Sequence, residues 1–250
     1  MMAVPWCRAV LVLLAIVGLG WSGTMLASGR LPTDLDDLAE TVLRGETFRT
    51  EDLEALAPRI AAVEADTLPR PAALRGAVVI TLHQAETAMR DGRRSAMDER
   101  LATLGRLLER ALATMPTDPY LWLSLFWYRN TVEGYTPENL PLLLRSYDLG
   151  PAEGWIAVRR IRLALAVFPQ LSPDLQERVP QEFALLVNSR FPEMPAVLTG
   201  AGWAVRDRLV PRLAGVSEES RKGFARSLDA MGYAIDLPGR APREDRPWTR

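Results

Sequence analysis

The chain is poor in the residues that do most protein chemistry: Cys7 is its one cysteine, His83 its one histidine and Lys222 its one lysine. A single cysteine excludes an intrachain disulfide and a thiolate metal cluster. A single histidine leaves His-based zinc sites and Ser-His-Asp or Cys-His nucleophiles short of parts. No G-x-x-x-x-G-K-[ST] or G-x-G-x-x-G run occurs, so those glycine loops do not hold a nucleotide. With 30 basic against 31 acidic residues the formal net charge is −1, which gives no overall pull toward nucleic acid. All the basic residues but Lys222 are arginine; this reads first as codon usage of a GC-rich genome and second as selection for planar anion-binding forks. Alternating apolar and polar runs between turn signals are missing too. VVITL (78–82) is the one β-flavoured stretch, and it sits inside a helical pattern.

What is present begins with an uncharged run from Ala9 to Ser28, preceded by Arg8 and followed by Asp34, Asp36, Asp37 and Glu40. A basic start, an apolar middle and small residues near LASG describe a secretory signal. Residues 9–26 are also just long enough to span a bilayer. Met25 and Leu26 stand where the candidate cleavage sites prefer a small residue. The expectation is therefore an uncleaved anchor in the inner membrane with a single pass and the body facing the periplasm; cleavage would instead release the body into the periplasm. Residues 1–30 form this segment, 31–236 a helical body and 237–250 (from LPGRAPREDRPWTR) a tail disordered by composition.

In the body, 48% hydrophobic content over the whole chain suffices for a real core. TDLDDLAETVLRG is an acidic helix closed by Gly45; TEDLEALAPRIAAVEAD is a second, with Thr50 as cap and Pro58 placed to kink or split it. Helices are expected at 72–91, 95–115 and 119–131, then from GYTPENLP to Gly150, and at about 152–168, 173–190, 194–214 and 217–232.

The clearest pattern is a repeat with a period of 35 residues, from Pro116 to Pro151. RLLERALATMP-TDPYLW (106–122) is restated as PLLLRSYDLGP-AEGWIA (141–157), so that Arg110 matches Arg145, Ala111 matches Ser146 and Tyr120 matches Trp155. That period fits two short antiparallel helices with their turns. The repeat resembles the tetratricopeptide family: Trp122 stands at the aromatic site six residues after Pro116, Leu125 at the next apolar site, and Ala111 and Ser146 at the close-packing site. Phe126 replaces the family's glycine and Ala157 its second aromatic, and the next proline, Pro192, has drifted to 41 residues after Pro151. The resemblance covers about 95–192. It implies an all-α stack of antiparallel helix pairs, an α-solenoid, capped at both ends because a repeat cannot bury its faces alone. The phrase SYDLGPAEGW also resembles segments of membrane-anchored helical-repeat proteins that accompany polymerisation or export of bacterial surface polysaccharide.

No residue set calls for catalysis, a cofactor or a metal. Asp34, Asp36 and Asp37 suit a first helical turn better than a cation site. Glu133 and Glu138 flank a polar loop between repeat helices, and His83 reads as a packed or half-exposed helix histidine. In the tetratricopeptide register the inner wall carries Tyr120, Trp127, Asn130, Trp155, Arg159 and Arg162, with aromatic faces beside guanidinium groups that suit sugar rings, anionic glycans or extended peptides. The competing reading puts Trp127 and Trp155 in the core. Trp122 is expected in the core, and Arg159, Arg160 and Arg162 on a solvated face. The expected function is a non-catalytic, membrane-anchored scaffold for an envelope assembly such as polysaccharide polymerisation or export. Its partners would be other envelope or membrane proteins, with no nucleic acid; the alternative is a module holding a glycan or peptide directly, and a carboxylate-based enzyme ranks last.

Overall fold

A computed structural model describes residues 12–20, 34–45, 48–151 and 153–239; among them there are helices and turns and no strand. The helices are α1 (12–20), α2 (Asp34–Leu43), α3 (Thr50–Glu54), α4 (Ala57–Ala65), α5 (Pro71–Arg90), α6 (Arg94–Thr114), α7 (Pro119–Val132), α8 (Leu140–Leu149), α9 (Gly154–Ala166), α10 (Pro173–Asn188), α11 (Met194–Thr199), α12 (Arg206–Leu209) and α13 (Glu218–Ala230). Short 3-10 turns fill Pro137–Asn139, Phe168–Gln170, Trp203–Val205 and Val210–Gly215.

Local chemistry accounts for most of these limits. Asp118 caps α7 by accepting from the N–H groups of Tyr120 (2.8 Å) and Leu121 (3.3 Å), with Pro119 preset at the first position. Ser172 and Ser217 cap α10 and α13 in the same way. Between α5 and α6, Gly92 adopts φ 69°, and the Arg93 and Gly92 N–H groups return to the carbonyls of Ala88 (2.9 Å) and Met89 (3.2 Å), a Schellman closure. Pro58 does split the second acidic segment, into α3 and α4. The single helix expected over 194–214 is broken instead: Gly200 and Gly202 contribute little helical commitment, and Pro211 removes another donor.

The helices pack as pairs along the chain, α5 with α6, α7 with α8 and α9 with α10, and α6 also packs on α7. The centre is α5, buried almost continuously from Leu74 to Ala88; the breaks are Arg75, His83 and Glu86. α2 crosses α5 at Gly76, where an added Cβ would lie 2.9 Å from the Leu35 carbonyl oxygen. One hydrophobic cluster runs from Leu35 on α2 to Leu237 beyond α13. Leu237, counted with the tail in the sequence, is thus buried, and residues 240–250 lie outside the described ones.

α1 covers the middle of the apolar run, with Val12, Leu13, Leu14, Ile16, Val17 and Leu19 all exposed. Among the described residues no helix is long and apolar enough to cross a membrane. The rest of the 9–26 segment lies outside them.

Candidate functional site: a cavity lined by α5, α7 and α9

The first helices of the three successive pairs turn one face each to a cavity of about 900 Å³. From α7 come Tyr120, Leu123, Ser124 and Trp127; from α9 come Trp155, Val158, Arg159 and Arg162. Each member of the second set lies 35 residues after its counterpart in the first, so the period read from the sequence is the period of the wall. α5 adds Arg75, Leu82, His83 and Glu86; the end of α2 and residues 191–193 close the sides.

Five of the six residues expected on an inner wall meet here. At one end the rings of Tyr120 and Trp155 pack at 5.4 Å between centroids, tilted by 38°. The guanidinium of Arg75 lies 5.0 Å from the Trp155 ring and 5.8 Å from Tyr120. Arg75 is steered by Asp118, whose second carboxylate oxygen accepts from its Nε at 2.7 Å. One capping residue therefore starts α7 and orients a cavity cation. Tyr120 is only 1% exposed, so it serves core and cavity together, whereas Trp127 and Trp155 are half-buried. Arg159 crosses the cavity to donate to the Val42 carbonyl at 3.1 Å, tying α2 to α9. Arg162 is exposed and has no ion-pair partner among the described residues. Asn130 does not join the wall: its Nδ2 donates to the Phe126 carbonyl (2.8 Å) and its Oδ1 accepts from Asn139 (3.2 Å).

The electrostatics follow from partial burial. Burial, aided by Arg159 and Arg90, lowers the His83 imidazole below its usual 6.5, which keeps it neutral at neutral pH. Burial raises the Glu86 carboxyl above its usual range, against the pull of Arg159, Arg90 and Arg162. Burial also pushes the Tyr120 phenol up to about 12, so it stays protonated. Its hydroxyl and Oε2 of Glu193 are buried without a hydrogen-bond partner. The cavity lining thus combines aromatic rings with neutral and charged polar groups. Among the described residues no group of histidines, cysteines and carboxylates is placed to hold a metal ion.

Two further expectations change. Trp122 is not a core residue; it is half-buried, and its indole N–H donates to the Pro116 carbonyl at 2.8 Å. Arg160 is not on a solvated face; it is 0% exposed. Its Nη1 donates to the Ser146 carbonyl (2.7 Å), its Nη2 to the Gly150 carbonyl (3.1 Å), and Nε and Nη2 both to Oε1 of Glu182. Tyr147 completes the cluster, donating its hydroxyl to Oε2 of Glu182 at 2.7 Å while its ring lies 4.0 Å from the Arg160 guanidinium. The phrase SYDLGP therefore supplies the carbonyls and phenol that lock α8 to α9 and α10. Helical spacing alone marks Arg160 only as the neighbour of a wall residue, turned to the opposite side of α9.

Scans against protein-family models, curated proteins and solved structures return no match for this chain.

Proposed function

We propose that this chain is a non-catalytic scaffold of the cell envelope: a tetratricopeptide-like stack of helix pairs, tethered to the inner membrane through residues 9–26, with its body in the periplasm. Its inner wall receives part of an envelope or membrane protein, in an assembly such as one that polymerises or exports polysaccharide. The observation that carries the reading is the 35-residue equivalence of the α7 and α9 wall positions around one cavity. Repeat folds bind through the surface their first helices share. Anchor and compartment rest on the charge-free run and its flanks.

The test is recovery of integral membrane partners from detergent-solubilised membranes with the full chain as bait. The intact chain should retain a defined partner set; Arg162→Ala should lose it at an unchanged melting temperature, and Trp127→Ala should lose it with a fall of only a few degrees. Equal recovery by both variants refutes the cavity as the docking surface. A periplasmic reporter fused after residue 250 should be active; activity confined to a cytoplasmic reporter refutes the orientation.

A second reading has its own support. Half-buried Trp127 and Trp155 line the cavity beside the charged groups of Glu86, Arg162 and Glu193, an arrangement that takes a glycan or extended peptide directly.

A further inference from the structure

We infer that the cavity between α5, α7 and α9 takes an uncharged oligosaccharide segment, an inference that rests on the second reading above, in which this cavity holds its ligand directly. Arg75 is committed to Asp118 at 2.7 Å and Arg44 lies 4.0 Å from Glu40. That leaves Arg159 and Arg162 on one side against Glu86 and Glu193 on the other. The lining is balanced. An anionic chain would bring its charges against the two glutamates, and a cationic one against the two arginines; burying either without a dedicated partner is costly.

The donors and acceptors sharpen the class. A carboxylate only accepts hydrogen bonds and a guanidinium only donates them, while a hydroxyl does both. Sugar hydroxyls can therefore meet Glu193 and Arg162 with the same kind of group. Trp127 and Trp155 supply flat faces for the C–H face of a pyranose ring. An uncharged peptide is the weaker fit. Its backbone is best held by side-chain amides that donate and accept together, yet the lining holds neither asparagine nor glutamine. Asn130, which would have served, is committed to Phe126 and Asn139.

The experiment titrates the full chain in detergent with maltohexaose, cellohexaose and chitohexaose, with hexagalacturonate as anion, a chitosan hexamer as cation, and a glycine–serine peptide of similar length. Tryptophan emission and calorimetry are the readouts. At least one neutral hexasaccharide should bind with an affinity unchanged between about 50 and 500 mM salt. Trp127→Ala should weaken it about tenfold, and Glu193→Gln about threefold or more, the first with a fall in melting temperature of only a few degrees, about that of Trp122→Ala, and the second with none. Preference for the anion, the cation or the peptide, no loss in either variant, or no neutral binder at millimolar concentration overturns the inference. Trp127→Ala that loses membrane-protein partners while no neutral saccharide binds refutes the ligand class and leaves the scaffold reading standing. Saccharide binding by a chain whose partner set survives Trp127→Ala does the reverse.

Discussion

Glu182→Ala is the most exacting perturbation of this fold, because Arg160 stays behind. The guanidinium is fully buried and keeps as acceptors only the Ser146 carbonyl and hydroxyl and the Gly150 carbonyl, with no counter-charge. Breaking a buried pair by removing one partner costs about 3–5 kcal/mol, far more than a surface pair. The Tyr147 hydroxyl loses its acceptor as well, a further penalty of about 1–3 kcal/mol where no water replaces it. For a chain of this size each kilocalorie shifts the melting temperature by about 2–4 °C, so a fall of roughly 6–20 °C is expected from the pair alone. The double variant Arg160→Met/Glu182→Leu separates charge burial from packing. Burial already raises the Glu182 carboxyl above the usual carboxylate range despite the adjacent guanidinium, so desolvation outweighs attraction. Removing both charges should then recover most of the loss. It should not recover all of it, because the Gly150 carbonyl and the Tyr147 hydroxyl remain without partners. Thermal melts followed by far-UV circular dichroism measure both. A Glu182→Ala loss below about 1 kcal/mol, or a double variant less stable than the single, refutes the account of the cluster as a buried charge that must be matched.

Gly76→Ala should cost about 1–3 kcal/mol and loosen α2, because the new methyl meets the Leu35 backbone at 2.9 Å; Gly105→Ala meets only the movable tip of Tyr128 and should cost less, as paired melts and amide exchange of α2 will show. Tyr120→Ala should cost about 3–5 kcal/mol and Trp122→Ala about 1 kcal/mol, since the first is buried and the second half-exposed with one hydrogen bond; equal losses in melting temperature refute that ranking. His83 has its folded-state pKa below 6.5, so as pH falls past 6.5 the unfolded chain takes up the proton first and stability declines. His83→Gln should flatten that decline, measured by melts from about pH 7.5 to 5.5, whereas Glu86, with its raised pKa, contributes a slope of opposite sign near and above 4.5; an unchanged slope in the variant refutes the assignment.

The residues that made the fold legible are those whose role is local. Gly45 closes α2 at φ 82° and Pro58 divides α3 from α4 as their chemistry implies, whereas Thr50, expected as a cap, is the first residue of α3 after Arg49 and makes no cap bond, and the caps Asp118, Ser172 and Ser217 went unread. The 35-residue period carried further, since two helices with the same spacing of wall positions came to face one cavity. What stayed hidden needs partners distant in the chain. Arg159 and Arg160 are neighbours in sequence, yet one reaches α2 and the other is sealed between α8 and α10; neither destination follows from the helix that holds them. From the sequence His83 reads only as a packed or half-exposed helix histidine, and Glu86 carries no reading. They become cavity groups because α5 is covered on its other sides and left open on this one.

That division bears on how the cavity is built. Its rings come from the repeat, at Tyr120, Trp127 and Trp155, but most of its polar groups come from outside it: Arg75, His83 and Glu86 from α5, Glu193 from the turn before α11, and the α2 carbonyl that holds Arg159. The repeat thus supplies the rings together with Arg159 and Arg162, and its flanking elements supply the carboxylates Glu86 and Glu193 and the further cation Arg75. α2 is also the described helix next after α1 in the chain, so the wall that Arg159 ties down is the one nearest in sequence to the proposed anchor. Freeing it, by Arg159→Ala, should raise amide exchange in α2 while leaving α10 unchanged. Protection of α2 equal to that of the parent chain would show that packing against Gly76, and not the bridge across the cavity, is what holds this wall in place.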